Sequence, residues 1–301
     1  MTSKENEAMR IGIDLGGTKI EVVALDCGGQ VLACTRVPTP VGDYEGTVRA
    51  VAGLVVGVEA QAGQHGTVGI GTPGAISAKT GLMKNSNSVV LNGKPLGRDL
   101  AAALGRPVRL ENDANCFALS EAMDGAGAGQ PSVFGVILGT GVGGGLVIHG
   151  EILPGANGIA GEWGHNPLPW ASAIEQPGPA CYCGRRGCIE TFLSGAGLAR
   201  DAAASPEEIA RAAEAGDSHA RVVLARYQDR LARALASVIN IADPHAIVLG
   251  GGLSNIEALY RGLAARVASY CFSDGVDTSI LHNKHGDSSG VRGAAWLGAS
   301  D

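Results

Sequence analysis

A strand, a glycine-rich turn and a returning strand occur twice in this chain, about 120 residues apart. Ile11-Gly12-Ile13-Asp14-Leu15-Gly16 overlays Phe134-Gly135-Val136-Ile137-Leu138-Gly139. Two copies point to two related lobes, because a solenoid needs more repeats to bury its faces. The alternative is two hairpins that resemble each other by chance, since short apolar runs are ambiguous. Around the first copy, residues 10–15, 20–25 and 30–35 read as short strands with glycines at both bends, an antiparallel meander. Around the second, 132–138 and 144–149 read as strands flanking the turn Gly139–Gly145.

The rest of the chain alternates strand and helix patterns, which defines an α/β protein. Asp43 is placed to cap a helix reaching Gln61, and short strands are expected at 67–71 and 107–110. A helix follows Asp113 and runs to about Gly125. Further on, Ser205 with Glu207 and Glu208 announces a helix start, and 217–240 carries apolar residues at helical spacing. Residues 246–249 read as a buried strand ending in Gly250-Gly251-Gly252, after which Ser254 is expected to cap a helix. A short helix is expected at 290–297. No Pro/Ser-rich linker marks a boundary. The expected division is a small N-terminal domain, 1–115, rejoined by the terminal helix 290–301, and a larger domain, 116–289.

The formal net charge is −6, and no block of Lys or Arg offers a footprint for a nucleic-acid backbone. An anionic nucleotide is still accessible, because backbone N–H groups and a metal ion can hold one locally. Residues 1–8 are polar and lack the apolar stretch of a signal peptide. No apolar run approaches the ~18 residues of a membrane span. Seven cysteines, three of them within one eight-residue segment, suggest a metal site in a reducing, cytoplasmic compartment rather than a disulfide framework.

Five segments carry chemistry. In Asp14-Leu15-Gly16-Gly17-Thr18-Lys19, two glycines let a hairpin turn its N–H groups toward phosphate oxygens, Thr18 adds a hydroxyl, and Asp14 could hold hydrated Mg²⁺. An ordinary hairpin turn is the alternative. Gly139-Thr140-Gly141-Val142-Gly143-Gly144-Gly145 contains a GxGxxG spacing, but between two strands, which argues against a dinucleotide fingerprint and for a second phosphate-clasping hairpin. Gly250-Gly251-Gly252 suits close approach to a nucleoside. Glu111-Asn112-Asp113-Ala114-Asn115 follows a strand and opens a helix, so Asp113 is either a general base or a plain helix cap. Finally, His165 with Cys181, Cys183 and Cys188 makes a Cys₃His set, a common closed tetrahedral zinc site. Glycines at 184 and 187 let that loop bend. The other four cysteines suit free buried thiols.

In this order the segments resemble the ROK family of sugar kinases, which share the actin and hexokinase type of fold (ribonuclease H-like, with a nucleotide and sugar cleft between two domains). The resemblance spans Arg10 to Leu297 and rests on DLGGTK at 14–19, GTPG at 71–74, ENDAN at 111–115, GTGVGGG at 139–145, GEWGH at 161–165 and CYCGRRGCIE at 181–190. GEWGHNPLPW at 161–170 and KHGDSSGVRGAAW at 284–296 look most like bacterial fructokinases with mannokinase activity. The resemblance implies that Asp113 is the catalytic base. It implies that Asn112, Glu162, His165 and Glu190 bind sugar hydroxyls, and that Gly74 and Asn87 belong to a loop closing on the sugar. ATP with Mg²⁺ would lie across Asp14, Gly16, Gly17, Thr18 and Lys19 on one side and Thr140, Gly141, Gly144 and Gly251 on the other. His165 would bind structural zinc through one ring nitrogen and face the sugar through the other.

Phosphorylation of the 6-hydroxyl of fructose, with mannose also accepted, is therefore the expected activity. Glucose and N-acetylated hexosamines are the alternatives within the class. Family members often form dimers, but no stretch of the sequence marks an interface. Some members are repressors with an added N-terminal DNA-binding domain. Only nine residues precede the first strand here, too few for a helix-turn-helix unit. A catalytically silent sugar-binding module is opposed by the intact Asp113 and both glycine turns.

Overall fold

The computed structural model describes residues 9–77, 79–86 and 88–299. The polar segment 1–8 and Asn87 lie outside them. β1 (Met9–Leu15), β2 (Lys19–Leu25) and β3 (Val31–Pro38) form the expected antiparallel meander. α1 (Tyr44–Ala62) follows, with the Asp43 carboxylate accepting from the Gly46 N–H as its cap. β4 (Gly66–Thr72) returns parallel to β1, and a small hairpin, β5 (Ala75–Ile76) and β6 (Met83–Lys84), interrupts the path to α2 (Leu96–Leu104). β7 (Arg109–Asn112) completes a sheet of order β3-β2-β1-β4-β7.

The second half begins with α3 (Asp113–Met123), then β8 (Ser132–Leu138), β9 (Val142–Ile148) and β10 (Glu151–Ile152). α4 (Ile189–Leu193), α5 (Gly195–Ala202), α6 (Pro206–Glu214) and the long α7 (Ser218–Ala242) precede β11 (Ala246–Gly250). α8 (Leu263–Ala268), β12 (Ser279–His282) and α9 (Ser289–Trp296) follow, and the second sheet has the order β10-β9-β8-β11-β12. Both sheets share one plan. The central strand continues on one side into an antiparallel meander of two further strands, and on the other side it is followed by two strands that run parallel to it.

The echoed glycines explain how the plan is packed. On β1, Ile11, Ile13 and Leu15 point into a core shared with α1 and α2, while Gly12 faces the opposite side. A Cβ on Gly12 would lie 2.0 Å from the Val291 carbonyl oxygen of α9. Its counterpart Gly135 on β8 faces α3, where a Cβ would lie 2.7 Å from the Ala118 Cα. Each sheet thus receives a helix against bare backbone. The two helices, α3 and α9, also pack on each other so closely that a Cβ on Gly293 would fall 1.6 Å from the Cys116 carbonyl oxygen. The opposite face of the second sheet carries the larger core, with Phe134, Val136 and Leu138 against Tyr227, Leu231 and Leu235 of α7.

Three expectations need adjustment. β9 begins at Val142, so the glycine run belongs to the strand, where it leaves room for α3 and for Trp163. Ser254 caps no helix. It lies inside a 3₁₀ turn, its hydroxyl donates to the Gly251 carbonyl at 2.7 Å, and the next α-helix starts only at Leu263. Asn115, the expected point of division, sits within α3; we place the change of lobe at the end of β7. Among the described residues no helix is long and apolar enough to cross a membrane.

Candidate active site

β1, β4 and β7 run parallel, so their C-terminal ends share one edge of the first sheet. The register puts Asp14 beside Gly71, and Gly71 beside Glu111. Gly74 follows β4 at the same edge, where the Thr72 hydroxyl donates to its carbonyl at 3.1 Å. Asn112 and Asp113 follow β7. Asn112, not Asp113, caps α3: its side-chain oxygen accepts from the Asn115 N–H at 2.7 Å. The cap leaves the Asn112 amide nitrogen as the group that can donate to a sugar hydroxyl. Asp113 occupies the first helical position, and one of its oxygens accepts from the Ala114 N–H at 2.8 Å.

Asp113 is solvent-exposed, yet desolvation by the surrounding protein raises its pKa against the opposing pull of the Ala114 N–H, with Glu162 adding to the rise. Asp14 is pushed up to about 6, first by burial and then by the negative charges of Asp113 and Glu21, against Lys19 and Arg36. Lys19 is engaged by Glu21, at 3.8 Å, and Arg36 reaches the same carboxylate at 2.6 Å. Crowded carboxylates of this kind are what a divalent cation relieves.

A stability consequence follows for Asp14. The folded protein holds this proton to about pH 6 against an ordinary value of 3.8, so its stability falls as pH rises through that window. At pH 8 the cost amounts to at most about 3 kcal/mol. Asp14→Asn should therefore raise the melting temperature of the cation-free protein at pH 8, with the gain shrinking toward pH 5. A thermal melt series across that range, wild type against variant, checks it; a gain independent of pH would contradict the assignment.

On the second sheet, β8 and β11 also end together, with Gly250 paired to Ile137. This edge brings Thr140 and Gly141 of the glycine turn near Gly251, where a Cβ would meet the Leu138 carbonyl at 2.5 Å. Gly144 serves packing, because a Cβ there would lie 2.8 Å from the Trp163 ring. Trp163 is buried edge-on against Phe134 and donates to the Gly143 carbonyl at 3.0 Å. That anchor fixes the short turn with Glu162 on one side and His165 on the other. Glu190, in the first turn of α4, accepts from the Val142 N–H at 3.0 Å, which ties it to the glycine turn. A cavity of about 250 Å³ lies beside Glu190, lined among others by Thr140, Cys181, Tyr182 and Arg200.

The ligand atoms of His165, Cys181, Cys183 and Cys188 all lie within 4.8 Å of one another. Zn–S bonds near 2.3 Å in a tetrahedron set sulfurs about 3.8 Å apart. The Cys183 and Cys188 sulfurs are 3.7 Å apart, and Cys181 Sγ lies 3.5 Å from His165 Nδ1. The donor set and its spacing match a tetrahedral cation site. Burial pushes the Cys188 thiol up to about 12, whereas the Arg185 N–H lowers Cys183. A cation is what lets such thiols lose their protons together. Arg185 and Arg186 are exposed, as solvated loop charges should be.

Two features had no sequence signal. The Tyr182 hydroxyl sits 2.9 Å from His165 Nε2. Glu175 lies buried between Arg230 and Arg233 of α7, at 2.7 and 3.0 Å. Burial alone would raise that carboxyl, but Arg233, Arg230 and Ser172 outweigh it and hold it at about 2. Arg233 also donates to the carbonyl of Trp170, whose ring stacks on Tyr270 at 5.6 Å. The segment leading into the cysteine loop is thereby fastened to the core.

Two sheets of one topology, with carboxylates at the edge of one and a glycine turn at the edge of the other, define the actin and hexokinase class of folds. The chain belongs to the ROK family, whose model matches residues 10–300. It is 44% identical over 299 residues to an N-acetyl-D-glucosamine kinase of Vibrio cholerae, covering 96% of this chain and 99% of that protein. The ROK hexokinase of Thermus thermophilus superimposes with a TM-score of 0.87 at 35% identity, covering 96% and 97% of the two chains. A ROK family glucokinase of Streptomyces griseus, solved with glucose and AMPPNP, gives a TM-score of 0.74 at 30% identity over 97% and 99%. These relatives do not carry the fructokinase name that the 161–170 and 284–296 segments suggested.

Proposed function

We propose that the protein is an ATP-dependent hexose kinase that phosphorylates the 6-hydroxyl of N-acetyl-D-glucosamine in preference to fructose. The observation that carries the kinase assignment is Asp113: an accessible carboxyl of raised pKa, relieved of helix capping by Asn112, in the electrostatic reach of Asp14 and Glu162. The preference for the acetylated sugar is supported by relatives of that name at 42–44% identity over nearly the full chain. This replaces the fructose expectation drawn from short segments.

In this scheme Glu162, His165, Glu190 and the Asn112 amide hold the sugar's hydroxyls. Gly74 closes from the first lobe. Asp113 takes the proton of the 6-hydroxyl as its oxygen bonds to the γ-phosphorus and the bond to ADP breaks. The backbone N–H groups of the turns at Gly16, Gly17 and Thr18 and at Thr140 and Gly141 receive the phosphate oxygens. Asp14 would hold the nucleotide's Mg²⁺, which neutralises phosphate charge when bound. His165, Cys181, Cys183 and Cys188 would hold a structural zinc, which fixes the loop and the imidazole tautomer.

The test is ADP release with ATP and Mg²⁺ against N-acetylglucosamine, N-acetylmannosamine, glucose, mannose and fructose. The highest kcat/KM is expected with N-acetylglucosamine. A different winner would move the sugar and keep the kinase. No turnover with any of them would favour a sugar-sensing module instead.

A further inference from the structure

An imidazole nitrogen has one in-plane direction for a hydrogen bond, whether it donates or accepts. In His165, Nδ1 faces the cysteine cluster, 3.5 Å from Cys181 Sγ. Only Nε2 is left for a sugar hydroxyl. That direction is taken: the Tyr182 hydroxyl lies 2.9 Å from Nε2, and the two rings meet edge-on with centroids 5.0 Å apart. A hexose hydroxyl and the tyrosine hydroxyl cannot both occupy it. Tyr182 is also poorly held. Its relative exposure is 84%, and Gly184, two residues on, turns the chain at a φ of 87°. The same residue lines a cavity together with Thr140 and Glu190, and Glu190 is one of the groups assigned to the sugar.

We propose that Tyr182 gates the sugar site: its hydroxyl occupies His165 Nε2 in the sugar-free protein and is displaced when a hexose binds. This rests on the hexose-site assignment above. The gate acts as an internal competitor. Sugar affinity carries the loss of one hydrogen bond, while the displaced ring gives up little buried surface. Removing the hydroxyl should tighten binding by a few-fold to about tenfold, the range for one exchanged hydrogen bond.

The experiment is calorimetric titration of the metal-loaded protein with N-acetylglucosamine, and with fructose and glucose in parallel. Wild type is compared with Tyr182→Phe, which keeps the ring and its edge-on contact, and with Tyr182→Ala, at equal zinc content. Both variants are expected to bind the accepted sugar more tightly, with KM shifting in the same direction. Unchanged affinity in Tyr182→Phe would overturn the gate. Weaker affinity would also overturn it and make the phenol a sugar ligand. If the wild type takes up no hexose, the sugar-site assignment itself fails, and the gate fails with it.

Discussion

Asp113→Asn should lower kcat by about 10²–10⁴-fold, the usual contribution of a general base, while sugar binding stays within a few-fold of wild type. The amide has nearly the shape of the carboxylate and can still accept from the Ala114 N–H, so the start of α3 is preserved. What it loses is the capacity to take a proton. Because capping belongs to Asn112, the substitution should not unravel the helix. Desolvation by the surrounding protein already disfavours the Asp113 charge, so the variant should melt no lower than wild type. Single-turnover phosphorylation measured beside calorimetric sugar binding separates the two effects. Turnover within tenfold of wild type would remove Asp113 from the role of base.

Loss of the metal should have the second large effect. Cys183→Ala, or prolonged chelation of the wild type, should release zinc and lower the melting temperature by about 10 °C or more. Structural zinc contributes on the order of 10 kcal/mol in small zinc-dependent domains, and each kcal/mol moves a melting point by about 2–4 °C in chains of comparable size. Sugar affinity should fall with it. Cys188 is the N-cap of α4 and stands two residues before Glu190. The loop is laced to the His165 turn by Leu168 N–H to Gly187 O at 2.9 Å and Ile189 N–H to Asn166 O at 2.8 Å. Release of the cluster therefore loosens His165 and Glu190 together. Metal analysis of the purified protein, followed by melts and titrations before and after chelation, checks this; a zinc-free protein with full sugar affinity would exclude the structural role.

Much of this was legible in the sequence because it depends on short-range pattern. The glycine turns, Asp14 near the end of β1, Asp113 directly after β7 and the Cys₃His spacing are all local features. The echo of Gly12 in Gly135 was visible too, although its reason was not: only the packed helices show why both positions exclude a side chain. Choosing between Asn112 and Asp113 as the cap was beyond pattern, since adjacent residues of similar capping strength differ only in backbone angle. Tyr182 gave no signal, because an exposed aromatic in a metal loop obeys no period. Glu175 meets Arg230 across 55 residues, a pairing that only the folded chain creates. The sugar is the hardest case. Epimers differ by the direction of one hydroxyl, which short segments such as 161–170 do not encode.

The bare-backbone contacts of α9 bear on how the protein is made. β1 emerges from the ribosome before the second lobe, but the helix that covers Gly12 and Gly69 is drawn from residues 289–296. Vectorial synthesis therefore leaves the first lobe with an uncovered face while almost the whole second lobe is being translated. Contacts of such long sequence separation form slowly, and the exposed surface in the interval is open to wrong partners. A ribosome-stalled chain ending before residue 289 should hold β1 to β7 in a protease-sensitive state, and chaperone demand should end only when α9 clears the exit tunnel.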